Sequence, residues 1–333
     1  MKIISRMGLC LFATALSLLS AEFGARVVFN RNGMHYAIEM WKYAKQMKRQ
    51  SPIAQMGHEH VSNQEAVLMG VHVKINSQGL RENEYAMAKP EDTFRILVLG
   101  DSMTFGWGAR FEETYAKVLE RLLNEKRPAM QKGSASFHQY EVINAGVGNY
   151  NTVQEVTYFK KRGIAYKPDM VLLGFYLNDA EDIPKRSGGF LREHSYFSVL
   201  LLSGWDALLR GFGKRKGYKD YLGLYSDTNQ GWKDCREALK TLIHLCQRED
   251  IELRIAVIPE LHSPNKNYAF GKIHVLISHI GSQYKTPVID LLPAFQGVHP
   301  PSLWVSPSDP HPSEKAHRII ANGIYNSIWK SPR

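Results

Sequence analysis

The chain has 333 residues, of which 44% are hydrophobic and 22% are charged, and its formal net charge is +10. This length accommodates one large α/β domain with additions or two modest domains, and the composition is ordinary for a globular protein. The charge would suit an anionic partner, but the positive residues are spread along the chain and no nucleic-acid-binding motif accompanies them, so we expect no nucleic acid partner.

Cysteine is scarce, with only Cys10, Cys235 and Cys246. The last two fall in one predicted helix, where their separation corresponds to about 16 Å of helical rise. That distance is too long for a disulfide. The cysteines therefore do not indicate whether the protein resides in an oxidising or a reducing compartment.

A basic N-terminus precedes the apolar residues 7–21, and Glu22 ends the apolar stretch. Residues 1–21 are therefore predicted to be a membrane anchor or a cleaved signal peptide. Leu19 stands where a cleavage site would have a small residue, which favours the uncleaved anchor. The charge distribution predicts a cytoplasmic tail with the rest of the chain on the periplasmic or extracellular side, and secretion after signal cleavage is the alternative.

Residues 22–92 are predicted to form a juxtamembrane helix and a lead-in segment. Apolar residues recur at helical spacing through 34–49, with basic residues between them. This pattern predicts an amphipathic helix, either at the membrane surface or packed on its own domain. His58 and His60 would share one face of a strand, but no third metal ligand stands nearby, so we expect no metal.

The apolar run 96–99 is followed by Gly100-Asp101-Ser102 and a helical pattern over 113–126. A short apolar run before a glycine turn and a helix is typical of a strand buried in a parallel sheet. Ser102 would then lie past the carboxyl end of a central strand, where open α/β sheets bind ligands. A serine there can be a nucleophile if a base reaches it. Alternatively, Asp101 and Ser102 serve only as a helix cap and a turn.

Strands and helices alternate along the rest of the chain. The predicted strands are 140–144, 169–175, 253–258 and 288–290, and the predicted helices are 152–162, 232–248, 272–284 and 313–329. This alternation predicts a doubly wound parallel sheet with helices on both faces. Residues 182–231 break the pattern and predict a partly helical insertion, which could be a lid, a substrate-binding cap or a second membrane contact.

Polar residues at the ends of the predicted strands could supply the parts that acyl transfer needs. Ser102 offers a hydroxyl, His311 can take its proton, and Asp309 can orient the imidazole. An oxyanion could be stabilised by backbone N–H groups and by one side-chain amide, contributed by Ser102, Gly148, Asn149 and Asn178.

Four motifs in this order resemble the SGNH (GDSL-type) hydrolase family: Gly100-Asp101-Ser102, Asn144-Ala-Gly-Val-Gly148-Asn149, Gly174-Phe-Tyr-Leu-Asn178-Asp179 and Asp309-Pro-His311-Pro. The resemblance places a hydrolase domain over 93–333. It implies a flavodoxin-like three-layer α/β/α fold and a serine esterase mechanism without a metal or an organic cofactor. Asp101 and Asp179 would have supporting roles beside the site.

Two positions depart from the family pattern. The family often has its acid three residues before the histidine, where this chain has Ser308. Asp309, two residues before, is the favoured acid, with Ser308 or a backbone carbonyl as alternatives. The glycine of the second motif aligns with either Gly148 or Asn149, and asparagine also tolerates a left-handed backbone.

The predicted function is hydrolysis of short-chain O-acyl esters, such as acetyl esters, through an acyl-enzyme. The alternatives are an O-acyltransferase or deacetylase of an extracellular polysaccharide, and a non-catalytic binding protein on the same fold. The expected partners are an acyl-ester substrate, such as an acetylated glycan or a lipid, and the membrane.

Overall fold

A computed structural model describes residues 2–31, 34–128, 131–132, 135–183, 194–212, 221–265 and 267–330. The chain divides into two compact units. The smaller unit comprises 1–45 and 185–217, and the larger unit comprises 46–184 and 218–333. The predicted insertion lies partly outside the described residues, at 184–193 and 213–220.

The helices are α1 (Lys2–Arg31), α2 (Tyr36–Gln46), α3 (Ser102–Phe105), α4 (Tyr115–Lys126), α5 (Thr152–Lys161), α6 (Tyr196–Gly211), α7 (Tyr221–Leu224), α8 (Gln230–Arg248), α9 (Gly271–Gln283), α10 (Leu292–Phe295) and α11 (Glu314–Tyr325). The strands are β1 (Lys48–Gln50), β2 (His58–His60), β3 (Glu65–Leu68), β4 (Val71–Lys74), β5 (Thr93–Gly100), β6 (Gln131–Lys132), β7 (Ala135–Ser136), β8 (Gln139–Asn144), β9 (Met170–Phe175), β10 (Glu252–Val257), β11 (Val288–Asp290), β12 (Trp304–Ser306) and β13 (Asp309–Pro312).

The smaller unit consists of α1, α2 and α6. α1 is one unbroken helix that passes the predicted end at residue 21 and continues to Arg31. Its segment Arg6–Arg31 is long and apolar enough to cross a membrane. The Glu22 carboxylate accepts hydrogen bonds from the backbone N–H groups of Tyr196 and Phe197, at 3.1 and 2.9 Å. These bonds satisfy the first turn of α6, whose free N–H groups need acceptors.

The predicted helix over 34–49 is corrected at its end. α2 ends at Gln46, and residues 48–50 instead form β1, which pairs antiparallel with β2. The helical spacing of apolar residues does continue to Met47, but Met47 is buried and its carbonyl accepts the backbone N–H of Val61. Pairing of residues 48–50 with β2 therefore overrides the local helical pattern.

The larger unit is built on a five-stranded parallel sheet with the strand order β11-β10-β9-β5-β8. All eight residues of β5, which lies between β9 and the edge strand β8, are buried, as expected for a strand that contains the apolar run 96–99. The predicted strands match the observed ones to within a few residues, with β11 identical to its prediction.

Helices cover both faces of this sheet. Leu97 and Leu99 of β5 pack in one apolar cluster with α5, α8 and α9, whereas Ile96 and Val98 pack in a second cluster with α4 and α11. This alternation along β5 follows from the two-residue period of a strand. The three-layer α/β/α fold is therefore confirmed.

Candidate active site

Ser102 lies at the end of β5, where the strand turns into α3. Gly100 has φ +156, and a Cβ atom on it would lie 2.0 Å from Thr104 Oγ1. Only glycine fits this position because any side chain would collide with Thr104. The next residue, Asp101, is the cap of α3 and accepts the backbone N–H of Met103 at 2.8 Å.

A chain of hydrogen bonds joins Ser102, His311 and Asp309. His311 Nε2 lies 2.9 Å from Ser102 Oγ, and His311 Nδ1 lies 2.5 Å from Asp309 Oδ1. An ionised Asp309 accepts the Nδ1 proton, which leaves Nε2 as the acceptor for the serine hydroxyl. β13 carries both Asp309 and His311, so one short strand brings the acid and the imidazole to the serine.

Asp309 is buried and accepts several hydrogen bonds. Trp107 Nε1 donates to Oδ2 at 2.8 Å, and the backbone N–H of His311 donates to Oδ1 at 3.1 Å. Burial raises the pKa of this carboxyl, but the hydrogen bonds from His311 and Trp107 outweigh burial and hold the pKa below its ordinary value. The alternative acid, Ser308, is exposed and its hydroxyl lies 3.3 Å from Ser306 Oγ.

Two residues that the sequence analysis did not assign to the site support the segment after Ser102. These residues are Trp107 and Arg81. The Arg81 guanidinium is buried and donates to the carbonyls of Phe105, Gly106 and Ala109, at 3.1, 2.6 and 2.7 Å. No local sequence pattern signals either contact, because the partners come from separate parts of the chain.

The loop after β8 forms a turn over Val147–Tyr150, closed by a 3.0 Å hydrogen bond from the Tyr150 N–H to the Val147 carbonyl. Asn149, the third residue of this turn, has φ +67, whereas Gly148 is not among the positive-φ residues. A turn with positive φ at its third residue but not at its second has the type II pattern, and glycine and asparagine are favoured at the third position. The sequence did not decide whether Gly148 or Asn149 takes the place of the motif's glycine, and the left-handed backbone is found at Asn149.

Asn178 follows β9 and reaches Asp101. Its Nδ2 donates to Asp101 Oδ2 at 2.9 Å, and an amide nitrogen carries a second proton that can serve another acceptor. Asn178 Oδ1 is buried and, among the described residues, has no hydrogen-bond donor. Burial raises the pKa of Asp101, and the bonds from Met103 and Asn178 offset this effect only in part.

Two further buried acids, Asp179 and Glu155, lie close enough to Asp101 to interact with it electrostatically. Asp179 accepts the Tyr176 N–H at 3.0 Å, and Glu155 on α5 has both carboxylate oxygens buried without a partner in the described part of the chain. Burial raises the pKa of both carboxyls well above their ordinary values, and repulsion from Asp101 adds to the effect on each. The sequence analysis missed Glu155, although it follows Thr152 by three positions on the buried face of α5.

The two histidines considered for a metal site contact backbone carbonyls instead. His58 Nε2 lies 3.0 Å from the Gly148 carbonyl, and His60 Nδ1 lies 3.1 Å from the Gly79 carbonyl. Within the described ranges, no three His, Cys, Asp or Glu side chains are grouped so that they could hold a metal ion.

The model of the GDSL-like lipase/acylhydrolase family matches residues 98–319, which is more than half of the chain. The chain belongs to this family. The match to the GDSL-like family includes Ser102, the turn over 147–150, Asn178, Asp309 and His311, whereas Arg81 and the hairpin of β1 and β2 precede it. No curated protein matches this chain in sequence.

Several solved structures resemble this GDSL-like hydrolase. TesA is 14% identical, with 70% of this chain and 97% of that chain covered and a TM-score of 0.45. A lipase/acylhydrolase from Enterococcus faecalis is 18% identical, with coverages of 71% and 96% and a TM-score of 0.43. An acetyl xylan esterase, AlAXEase, is 15% identical, with coverages of 71% and 100% and a TM-score of 0.44.

Proposed function

We propose that the protein is a serine esterase that hydrolyses short-chain O-acyl esters, acetyl esters in the first instance, through an acyl-enzyme intermediate. The observation that carries the proposal is the hydrogen-bonded chain from Ser102 Oγ through His311 to Asp309 in a member of a hydrolase family. The polar side chains around Ser102, namely Asp101, His311 and Asn178, suit a small polar ester.

In the proposed first step, Ser102 Oγ attacks the acyl carbon while His311 Nε2 takes the hydroxyl proton. Asp309 stabilises the imidazolium that forms. The carbon–oxygen bond to the alcohol then breaks, and His311 returns the proton to the leaving alcohol. In the second step, His311 deprotonates a water molecule that attacks the acyl carbon. The bond between this carbon and Ser102 Oγ then breaks, and His311 returns the proton to Oγ, which releases the carboxylic acid and free Ser102.

The tetrahedral oxyanion in both steps needs hydrogen-bond donors placed before the reaction begins. We assign the backbone N–H groups of Ser102 and of the Gly148–Asn149 turn, together with the Nδ2 of Asn178. The left-handed backbone of Asn149 favours its N–H as the turn's donor, with Gly148 as the alternative. Asp101 and Asp179 then act as supports, since Asp101 bonds Asn178 and Asp179 bonds the backbone of the same loop.

The decisive test is labelling with a fluorophosphonate probe, followed by turnover of p-nitrophenyl esters with acyl chains of increasing length. Wild type should be labelled, and Ser102→Ala and His311→Ala should not be labelled although they fold normally. We expect acetyl and butyryl esters to be turned over faster than long-chain esters. Undiminished turnover by Ser102→Ala would exclude the proposal, and a preference for long chains would exclude the acetyl assignment.

We further propose that α1 is an uncleaved anchor that holds the hydrolase domain, which begins near residue 93, on the extracytoplasmic side. About 20 apolar helical residues cross a bilayer, and Arg6–Arg31 has 26 residues. α6 of the same unit, together with the residue that follows it, exposes large apolar side chains that suit a lipid surface, namely Leu201, Leu202, Trp205, Leu208 and Phe212. Resistance to alkaline carbonate extraction would support the anchor, and recovery in the soluble fraction would support the cleaved signal.

A second candidate function is acyl transfer to or from a surface polysaccharide. The net charge of +10 favours an acidic polymer as the acceptor. The same acyl-enzyme would then be released by a sugar hydroxyl instead of water. Glycan acetyl content compared between wild type and a Ser102→Ala strain tests this, and equal content in both would exclude it.

A further inference from the structure

The carbonyl of the central peptide in the turn over 147–150, which links Gly148 to Asn149, is contacted by two side chains. The Gly148 carbonyl accepts a hydrogen bond from Lys48 Nζ at 2.5 Å and faces His58 Nε2 at 3.0 Å. Lys48 Nζ also donates to Asn149 Oδ1 at 3.0 Å. Lys48 and His58 thus converge on the one peptide group that links Gly148 to Asn149.

The orientation of this peptide is the variable feature of the turn. Type I and type II turns share the same outer residues and differ by rotation of the central peptide. Because the C=O and N–H of a trans peptide point in opposite directions, fixing the Gly148 carbonyl also fixes the Asn149 N–H. Rotation to the type I form would turn that N–H away from its present direction.

The two donors themselves are rigidly placed. β1 and β2 pair antiparallel, with Lys48 opposite His60 and Gln50 opposite His58. The Tyr150 hydroxyl donates to the His58 carbonyl at 2.6 Å, and Gln154 Nε2 donates to the Met56 carbonyl at 2.7 Å. The hairpin of β1 and β2 therefore accepts hydrogen bonds both from the turn over 147–150 and from the first turn of α5.

We infer that the Lys48 ammonium, assisted by His58, is a positioning group that holds the Gly148–Asn149 peptide with its N–H directed at the oxyanion. This assignment rests on the proposed esterase function. A charged donor on the carbonyl also polarises the peptide, which strengthens the N–H as a donor on the other side. The hairpin that supplies both groups lies before the region matched by the family, so it is a feature of this chain's own lead-in segment.

The charge states of the groups around this peptide are compatible with that role. Burial lowers the pKa of Lys48 to about 7. His58 and His60 face Lys48, and burial together with the Lys48 charge lowers their pKa values to about 4 and about 3. At pH 6 the lysine is therefore mainly charged, while both imidazoles are neutral, and a neutral His58 can donate to Gly148 with its proton on Nε2.

The test compares Lys48→Met with Lys74→Met in the full-length protein. Lys74 is an exposed lysine on β4 that pairs with Glu65, so its loss controls for removal of a positive charge. We measure the second-order rate of fluorophosphonate labelling, kcat and KM on an acetyl ester, and the melting temperature. Removal of one oxyanion donor typically costs about 100-fold to 1,000-fold in kcat, so loss of its support should cost about 10-fold to 100-fold.

We expect Lys48→Met to lower the labelling rate and kcat by that factor, with KM within about twofold and no loss of melting temperature, and Lys48→Arg to restore part of the rate. Labelling of Lys48→Met as fast as Lys74→Met would overturn the inference while the esterase assignment stands. Failure of the wild type to label, with Ser102→Ala indistinguishable from it, would instead overturn the proposed function and this inference with it.

A pH profile separates positioning by the ammonium from simple packing. The ratio of wild-type to Lys48→Met labelling rates at each pH cancels the pH effects that the two proteins share and isolates the effect of Lys48. We expect this ratio to be largest near pH 6 and to fall as the pH rises through about 7, where Lys48 loses its proton. A ratio that does not change with pH would overturn the role of the ammonium.

Discussion

Trp107 and Asp309 are joined by a 2.8 Å hydrogen bond from the indole N–H to Oδ2, on the carboxylate oxygen that His311 does not use. The tryptophan follows Ser102 by five residues, so the segment that carries the serine also holds the acid. One contact therefore ties the first and last motifs of the site together.

Replacement of Trp107 by phenylalanine should lower kcat about 10-fold with little change in KM. A hydrogen bond to a charged group contributes about 1.5–3 kcal/mol, and its loss lets the Asp309 carboxylate and the His311 ring reorient. Steady-state kinetics on an acetyl ester measures the effect. Trp329→Phe is the control, since the Trp329 indole N–H has no hydrogen-bond acceptor in the described part of the chain, and equal kinetics of the two variants would contradict the prediction.

Substitution of the acid should distinguish Asp309 from its neighbour. Asp309→Asn should reduce kcat by several orders of magnitude, because an amide at this position no longer favours the His311 tautomer that accepts from serine. Ser308→Ala should remain within about twofold of wild type, since its hydroxyl lies near Ser306 and not near the imidazole. The reverse order of the two activities would make Ser308 the orienting group.

Arg81→Met should destabilise the protein by about 2–4 kcal/mol, because three buried carbonyls lose a charged donor. Urea denaturation measures the free energy of unfolding. Arg248→Met is the matched control, since Arg248 is exposed and pairs only with its neighbour Glu249 in the described structure. Equal stability of both variants would show that water replaces the guanidinium without cost.

Glu155→Gln should change how stability depends on pH. Burial, followed by repulsion from Asp179 and Asp101, raises the folded-state pKa of Glu155 above its ordinary value. The folded protein therefore binds more protons than the unfolded chain, so stability falls as the pH rises above the ordinary value towards the raised one. Each pKa unit of elevation corresponds to about 1.4 kcal/mol.

The glutamine variant cannot ionise at position 155, so we expect it to lose less stability than wild type between pH 5 and pH 8 and to be the more stable protein at pH 8. Unfolding free energies at the two pH values measure this. Glu237→Gln, on the exposed face of α8, should keep the wild-type slope. If the unfolding free energy of Glu155→Gln depends on pH as steeply as that of wild type, Glu155 is not the group that binds the additional proton in the folded protein.

The sequence by itself determined the strand-helix alternation, the interior position of β5 in the sheet and the motif residues Ser102, Asn178 and His311. These features are encoded locally, because two-residue and 3.6-residue apolar periods and glycine turns depend on neighbours a few positions away. The choice of Asp309 over Ser308 remained open in the sequence, and the structure brings only the Asp309 carboxylate within hydrogen-bonding distance of His311.

Tertiary structure alone decided which polar groups meet. Trp107 donates a hydrogen bond to Asp309, which is 202 positions away in the sequence. Lys48 donates to Gly148, 100 positions away, and Arg81 donates to Gly106, 25 positions away. Tertiary structure also ended α2 at Gln46, where pairing of β1 with β2 replaced the continued helix. The physical reason is the same in each case. A buried polar side chain bonds to the groups that packing of the fold brings next to it, and the spacing of residues in the sequence does not indicate which groups these are.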